Sequence, residues 1–179
     1  MAESFDEYRD RILGYLGTRD PMRVLMATPR KLARLISSGS KRELARRPAV
    51  GKWSAQEIVA HLADAELAFG WRIRNVTVTP GVDLPWWDEH LWSEALDYSR
   101  TPAHASLAAF EAGRVANVGL LRRVPADVLA RAHGMHAKRG RQTLRDFVVM
   151  EAAHDLNHLR QIEAVLKGAA ARLAREKTR

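Results

Sequence analysis

The chain contains no cysteine. That absence excludes disulfides, thiolate zinc sites, iron–sulfur clusters, CxxC redox chemistry and a cysteine nucleophile, so any metal must be held by His, Asp or Glu. There is no apolar run approaching the roughly 18 residues of a membrane span, and the N-terminus MAESFDEYRD lacks the basic start and apolar core of a signal peptide, which sets the expectation of a cytoplasmic protein with no membrane partner. No segment alternates β-branched residues between tight turns, so a sheet is not expected. Gly51-Lys52 is not a phosphate-binding loop, because position 46 is Arg46 and Trp53 replaces the Ser or Thr, and no G-x-S-x-G occurs. Internal repeats and low-complexity segments are also missing.

What remains is a chain of 179 residues with 46% hydrophobic and 28% charged residues, enough for one compact domain with a real core. The formal charge is +8, yet residues 167–179 (KGAAARLAREKTR) supply half of it. Arg outnumbers Lys 23 to 6, a bias that reflects base composition better than phosphate contacts, so nucleic acid is not an expected partner. The basic run Lys138-Arg139-Gly140-Arg141 reads as a solvated loop.

Helix signals dominate, and the predicted class is all-α. A first helix spans Phe5–Leu16 and breaks at Gly17; Asp20-Pro21 restarts the chain, and Thr28-Pro29 repeats that signature before a helix over 31–37 ends at Ser38-Gly39. The SAQE capping box, Ser54 to Glu57, opens a long helix to about Val76, before Pro80-Gly81. A third helix follows Thr101-Pro102 to about Arg123, and a fourth runs from near Thr143 to Lys167, with Gly168 as a stop. The long connections, 77–100 above all, predict at least one crossover in a four-helix bundle.

Seven histidines occur, at 61, 90, 104, 133, 136, 154 and 158. Ile58, His61, Leu62, Ala65 and Phe69 share one face of the second long helix, and Phe147, Glu151, His154, His158, Ile162 and Val165 share one face of the fourth. A lone buried His such as His61 is ordinarily a hydrogen-bonded core residue. His154 and His158 differ, because at i and i+4 they lie about 40° apart around the axis and about 6 Å along it, close enough to converge on one ion. Without an ion, each needs its own partner in an apolar medium. With His61 added, three neutral nitrogens leave coordination positions open, as in catalytic sites. His154-Asp155-Leu156-Asn157-His158 has the spacing of the zincin H-E-x-x-H, but Asp replaces Glu and no third ligand follows at metzincin spacing. Glu151-Ala-Ala-His154 is an E-x-x-H without the second copy that a di-iron bundle requires.

Arg47-Pro48, Gly51-Lys52-Trp53-Ser54, Glu57-Ile58 and His61-Leu62-Ala63-Asp64-Ala65-Glu66, followed by Gly140, Thr143-Leu144 and His154-Asp155-Leu156-Asn157-His158-Leu159, resemble the signatures of the DinB/YfiT-like metalloenzyme family over nearly the whole chain. The resemblance implies an up-down-down-up four-helix bundle, often dimeric, that holds nickel, zinc or a similar divalent ion, with iron and copper also open. Its ligands fall on His61, His154 and His158, the three that periodicity selects. The implied function is metal-dependent catalysis such as low-molecular-weight thiol S-transfer. The alternatives are a metal-dependent hydrolase and a non-enzymatic metal- or ligand-binding stress-response protein. With no cysteine in the chain, a thiol must arrive as cosubstrate, and Arg72, Arg74 or Arg160 are candidates to hold its carboxylates or else lie on a solvated face. The expected division is a bundle over 1–168 and a basic tail over 169–179, with a small-molecule substrate and a homodimeric state.

Other residues carry two readings each. Asp64 and Glu151 are placed to accept hydrogen bonds from the histidines, or Asp64 is an exposed carboxylate. Trp86, Trp87 and Trp92, with His90 among them, read as a loop packed on the bundle or a dimer contact before a substrate lid. Trp53 reads as a residue pinning the start of its helix. His104, His133 and His136 read as solvated, with pocket contact as the alternative reading for His133-Gly134-Met135-His136, which precedes the fourth helix.

Overall fold

The computed structural model describes residues 3–177, with side chains described through 168. The principal helices are α1 (Phe5–Leu16), α2 (Pro21–Ser38), α4 (Ala55–Val78), α6 (Ala103–Leu121) and α8 (Leu144–Lys177), with short helices α3 (Lys41–Ala45), α5 (Glu89–Ala95) and α7 (Ala126–Arg131) and a 3-10 turn at Tyr98–Arg100. Local chemistry sets the starts. Ser4 with Glu7 and Ser54 with Glu57 form capping boxes, and Asp20 accepts from the backbone N–H groups of Met22 and Arg23 ahead of Pro21.

Two apolar clusters occupy opposite ends of the bundle. One gathers Leu25, Phe69, Ile73, Val76, Leu121 and Phe147; the other gathers Leu32, Ile36, Ile58, Leu62, Phe110 and Ile162. Following each helix from one cluster to the other gives its direction: α2 and α8 run one way, α4 and α6 the other. The order is therefore up-down-down-up. Helix α4 packs on α6 and α8, while α2 packs on α8 and α6. Because α4 ends where α6 does not begin, the chain over 79–102 must travel the length of the bundle.

Three differences from the sequence reading have physical causes. Thr28-Pro29 does not restart a helix, since α2 is continuous and Pro29 lies inside it. The Thr28 hydroxyl donates to the Val24 carbonyl within the helix, and the Leu25 carbonyl, which Pro29 has no N–H to bond, accepts from Arg114 Nη1 at 3.1 Å. Gly168 does not stop α8, whose backbone stays helical to Lys177; the terminal residues of the expected basic tail and the side chains from 169 onward lie outside the described residues. A small sheet is present: β1 (Asp83–Leu84) pairs in parallel with β2 (His133–His136), which pairs antiparallel with β3 (Gly140–Thr143). Strands of two to four residues, closed by Gly140 at φ 67°, carry no alternating pattern for a sequence reading to find.

Candidate functional site

Between the two apolar clusters lies a buried polar layer. Its centre is Arg114 on α6, whose side chain is 1% exposed. Arg114 donates to Glu66 Oε2 at 2.7 Å and to both oxygens of Asp155 at 2.5 and 3.0 Å, while the Asn117 amide donates to Glu66 Oε1 at 2.8 Å. The sequence reading missed Arg114, although Leu107, Phe110, Arg114, Val118 and Leu121 step by 3, 4, 4 and 3 along an apolar stripe, the same signal that marked the histidines. Both Asp155 oxygens being held by Arg114, the residue at the zincin Glu position is not available as a base.

His61, His154 and His158 come together beside this layer. Nε2 of His154 lies 3.0 Å from Nε2 of His61 and 3.0 Å from Nε2 of His158. Burial, then the neighbouring imidazoles, hold the His61 and His154 pKa values well below the ordinary range, and burial lowers His158 to about 4. All three are therefore neutral at pH 7. Nδ1 of His158 meets Oε1 of Gln161 at 2.8 Å, which places its proton on Nδ1 and a lone pair on Nε2. One nitrogen offers one lone pair or one proton, so His154 Nε2 satisfies one neighbour and not two; a cation at the common point satisfies all three. Two imidazole nitrogens at ~2.1 Å from one ion stand ~3.0 Å apart at a right angle and ~3.4 Å apart at a tetrahedral angle, so the observed spacing fits a shared divalent ion. The donor set fits the group.

The surrounding side chains settle the residues with two readings. Asp64 accepts from the Tyr98 hydroxyl at 2.6 Å and bonds no histidine. Glu151 lies 3.6 Å from Arg114 and also bonds no histidine; its Oε1 is buried without a hydrogen-bond partner among the described residues, as are Nδ1 of His61 and His154. Burial, then Glu66 and Asp155, push the Glu151 pKa well above the ordinary carboxylate value. The 77–100 connection is packed on the bundle, and the place it covers is this site: the Trp87 ring stacks on His61 at 5.7 Å and meets Trp92 at 4.8 Å. Trp53 stands just ahead of the Ser54 cap, but its ring packs on His61 at 5.0 Å and on His90 at 5.7 Å.

His136 is buried rather than solvated, and its Nδ1 accepts from the backbone N–H groups of Lys138 and Arg139, closing the hairpin. His104 is exposed, and His133 is half-buried. Of the three candidate arginines, Arg74 is committed to the Gly70 carbonyl and Asn117, and Arg160 lies over the Tyr15 ring. Arg72 alone of them lines a cavity of about 110 Å3 that contains His61 and His154, where Arg139 joins it, half-buried at the β2–β3 hairpin rather than solvated as the sequence reading expected. His158 opens instead to a cavity of about 410 Å3 beside Trp53, and Tyr8 and Glu89 line both spaces.

The comparisons with known proteins agree with this architecture. No curated protein matches the chain. Among solved structures, YfiT from Bacillus subtilis, described as a probable metal-dependent hydrolase with an unusual four-helix bundle topology, matches with a TM-score of 0.74 at 21% identity, over 97% of this chain and 91% of that one. At that identity the likeness is one of fold. The model of the DinB superfamily matches residues 25–162, well over half of the sequence, and the chain therefore belongs to the DinB superfamily.

Proposed function

We propose that this protein is a metal-dependent enzyme that binds one divalent ion through His61, His154 and His158 and acts on a small molecule, most simply by hydrolysis. The observation that carries the reading is the meeting of three neutral imidazole nitrogens 3.0 Å apart, beside two open cavities. A divalent ion in that place supplies Lewis acidity, which polarises a carbonyl and lowers the pKa of a water or thiol nucleophile. The residues of the chain do the rest. Burial keeps the imidazoles unprotonated and ready to bind, and Trp53 and Trp87 keep water off the His61 ring. Arg114 holds both oxygens of Asp155 and withholds it from proton transfer, while Glu151 stands at the cavity wall.

Hydrolysis is favoured over thiol S-transfer because YfiT, of the same fold, carries that description. Nickel and zinc are the first candidates for the ion, with iron and copper behind them. A cytoplasmic location and a homodimer complete the proposal; light scattering at micromolar concentration tests the second.

The test is elemental analysis of protein purified without chelator or a nickel column, beside His154→Ala. About one divalent ion per chain is expected, falling at least tenfold in the variant. Near-zero metal, with no uptake of added Ni²⁺ or Zn²⁺, overturns the reading. Screening the loaded protein with ester and amide substrates, and separately with thiols plus monochlorobimane, separates hydrolase from transferase; turnover with neither leaves the binding-protein alternative.

A further inference from the structure

The small cavity at the histidines is walled by two cations, Arg72 and Arg139. Arg72 projects from α4, eleven residues beyond His61 and so on nearly the same face, and its long side chain leans back toward the helix N-terminus. Arg139 comes from the β2–β3 hairpin. Both are half-buried, and both line the space that contains His61 and His154.

Neither guanidinium joins an ion pair among the described residues. Arg72 has one hydrogen bond, a long one of 3.4 Å to the Pro85 carbonyl, and Arg139 rests over the Phe5 ring at 4.8 Å. Two acids line the same cavity and act on these arginines through space, Glu151 on both and Glu89 on Arg139, but neither is ion-paired with them; Glu151 lies 3.6 Å from Arg114, and Glu89 is at the exposed start of α5. Burial, then Arg139, lowers the Arg72 pKa, and burial lowers that of Arg139. Two partly dehydrated cations facing one cavity without a directly paired carboxylate leave guanidinium donors unused, and an oxyanion between them takes up those donors and relieves the repulsion.

We infer that Arg72 and Arg139 form a subsite for an oxyanion group of the substrate, a carboxylate or a phosphate, placed beside the reacting centre at His61 and His154. The rest of the ligand is apolar. Arg72, Trp86 and Trp87 also line a cleft of about 740 Å3 whose other walls include Leu67, Trp71 and Leu91, all three exposed. An aryl or alkyl acid fits this arrangement, with its charged head in the polar cavity and its apolar body on the tryptophans. The inference rests on the proposed function in taking the histidine cavity as the reaction site.

The test is calorimetric titration of the full-length protein, freed of metal with chelator, with phenylacetate, phenyl phosphate and the neutral phenylacetamide. Saturable binding of at least one acid is expected, at least tenfold tighter than the amide, and the tighter acid identifies the group. Arg72→Gln and Arg139→Gln each weaken that binding at least tenfold, while Arg30→Gln, an exposed arginine of α2, leaves it unchanged. Acid and amide binding alike, no saturation by either acid, or wild-type affinity in both glutamine variants overturns the inference. Should Arg72→Gln not fold, the acid–amide comparison on the wild-type protein and the hairpin variant Arg139→Gln decide. Acid selectivity in a protein that takes up no metal removes the metal and leaves the subsite; metal uptake without acid selectivity does the reverse.

Discussion

Arg114 shows how one side chain organises its neighbours. It is the cation to which Glu66 and Asp155 are bonded inside the polar layer, and it also takes the carbonyl that Pro29 leaves unpaired. Removing one partner of such a buried network strands the others, which costs about 3–5 kcal/mol. Arg114→Met is therefore expected to lose that much stability in urea denaturation while leaving the metal uptake proposed for the histidines unchanged, because Arg114 bonds none of the three. A loss below about 1 kcal/mol would show that the two carboxyls accept burial without their cation. Histidine positions were legible from spacing alone. Arg114 was not read, because a charged residue on an Ala- and Gly-rich helix looks like surface until its partners on α4 and α8 are seen.

Helices α4 and α6 approach closely where a glycine of each faces a polar side chain of the other. A Cβ on Gly70 would lie 2.7 Å from the Asn117 amide, and one on Gly113 would lie 2.9 Å from Glu66 Cγ. Asn117 cannot simply turn away, since its amide is committed to the Glu66 carbonyl and carboxyl and to Arg74. Gly70→Ala is expected to destabilise the protein by about 1–3 kcal/mol, the usual range for overpacking, as measured by chemical denaturation. An unchanged midpoint would mean that this contact has slack. Helix starts were readable because Ser54-x-x-Glu57 and Asp20-Pro21 act within one turn. The β2–β3 hairpin was not, since its existence depends on pairing with Asp83–Leu84 some fifty residues away.

The pH response belongs to the molecule as a whole. His136 is buried, and its pKa is lowered from 6.5 to about 4 by burial first, then by Arg139, Arg72 and Lys138; His61 and His154 shift in the same direction. Once unfolded these groups take a proton near pH 6.5, whereas folded His136 resists until about 4. On these histidines the unfolded state binds more protons in that window, so their contribution to stability falls as pH drops from about 6.5 to about 4, while Glu151, whose pKa is raised by burial, contributes with the opposite sign. The histidine part is read as a difference: between about pH 7.5 and about pH 5, the urea midpoint of metal-free wild-type protein should change less favourably than that of His136→Asn. An equal change in that variant would assign the whole effect to other groups.

Spacing along the chain was sufficient for the helical class, the long crossover and the core-facing placement of the three histidines, because each rests on periodicity or capping that acts within a few residues. It could not supply distances between elements. That Trp87 covers His61, that Asp155 is bound to Arg114, and that Arg72 meets Arg139 across one cavity are facts of packing between α4, α6, α8 and the hairpin. They follow from the up-down-down-up order. It sends residues 79–102 along the whole bundle and past the histidines, and a repeat of 3.6 residues carries no record of which faces then meet.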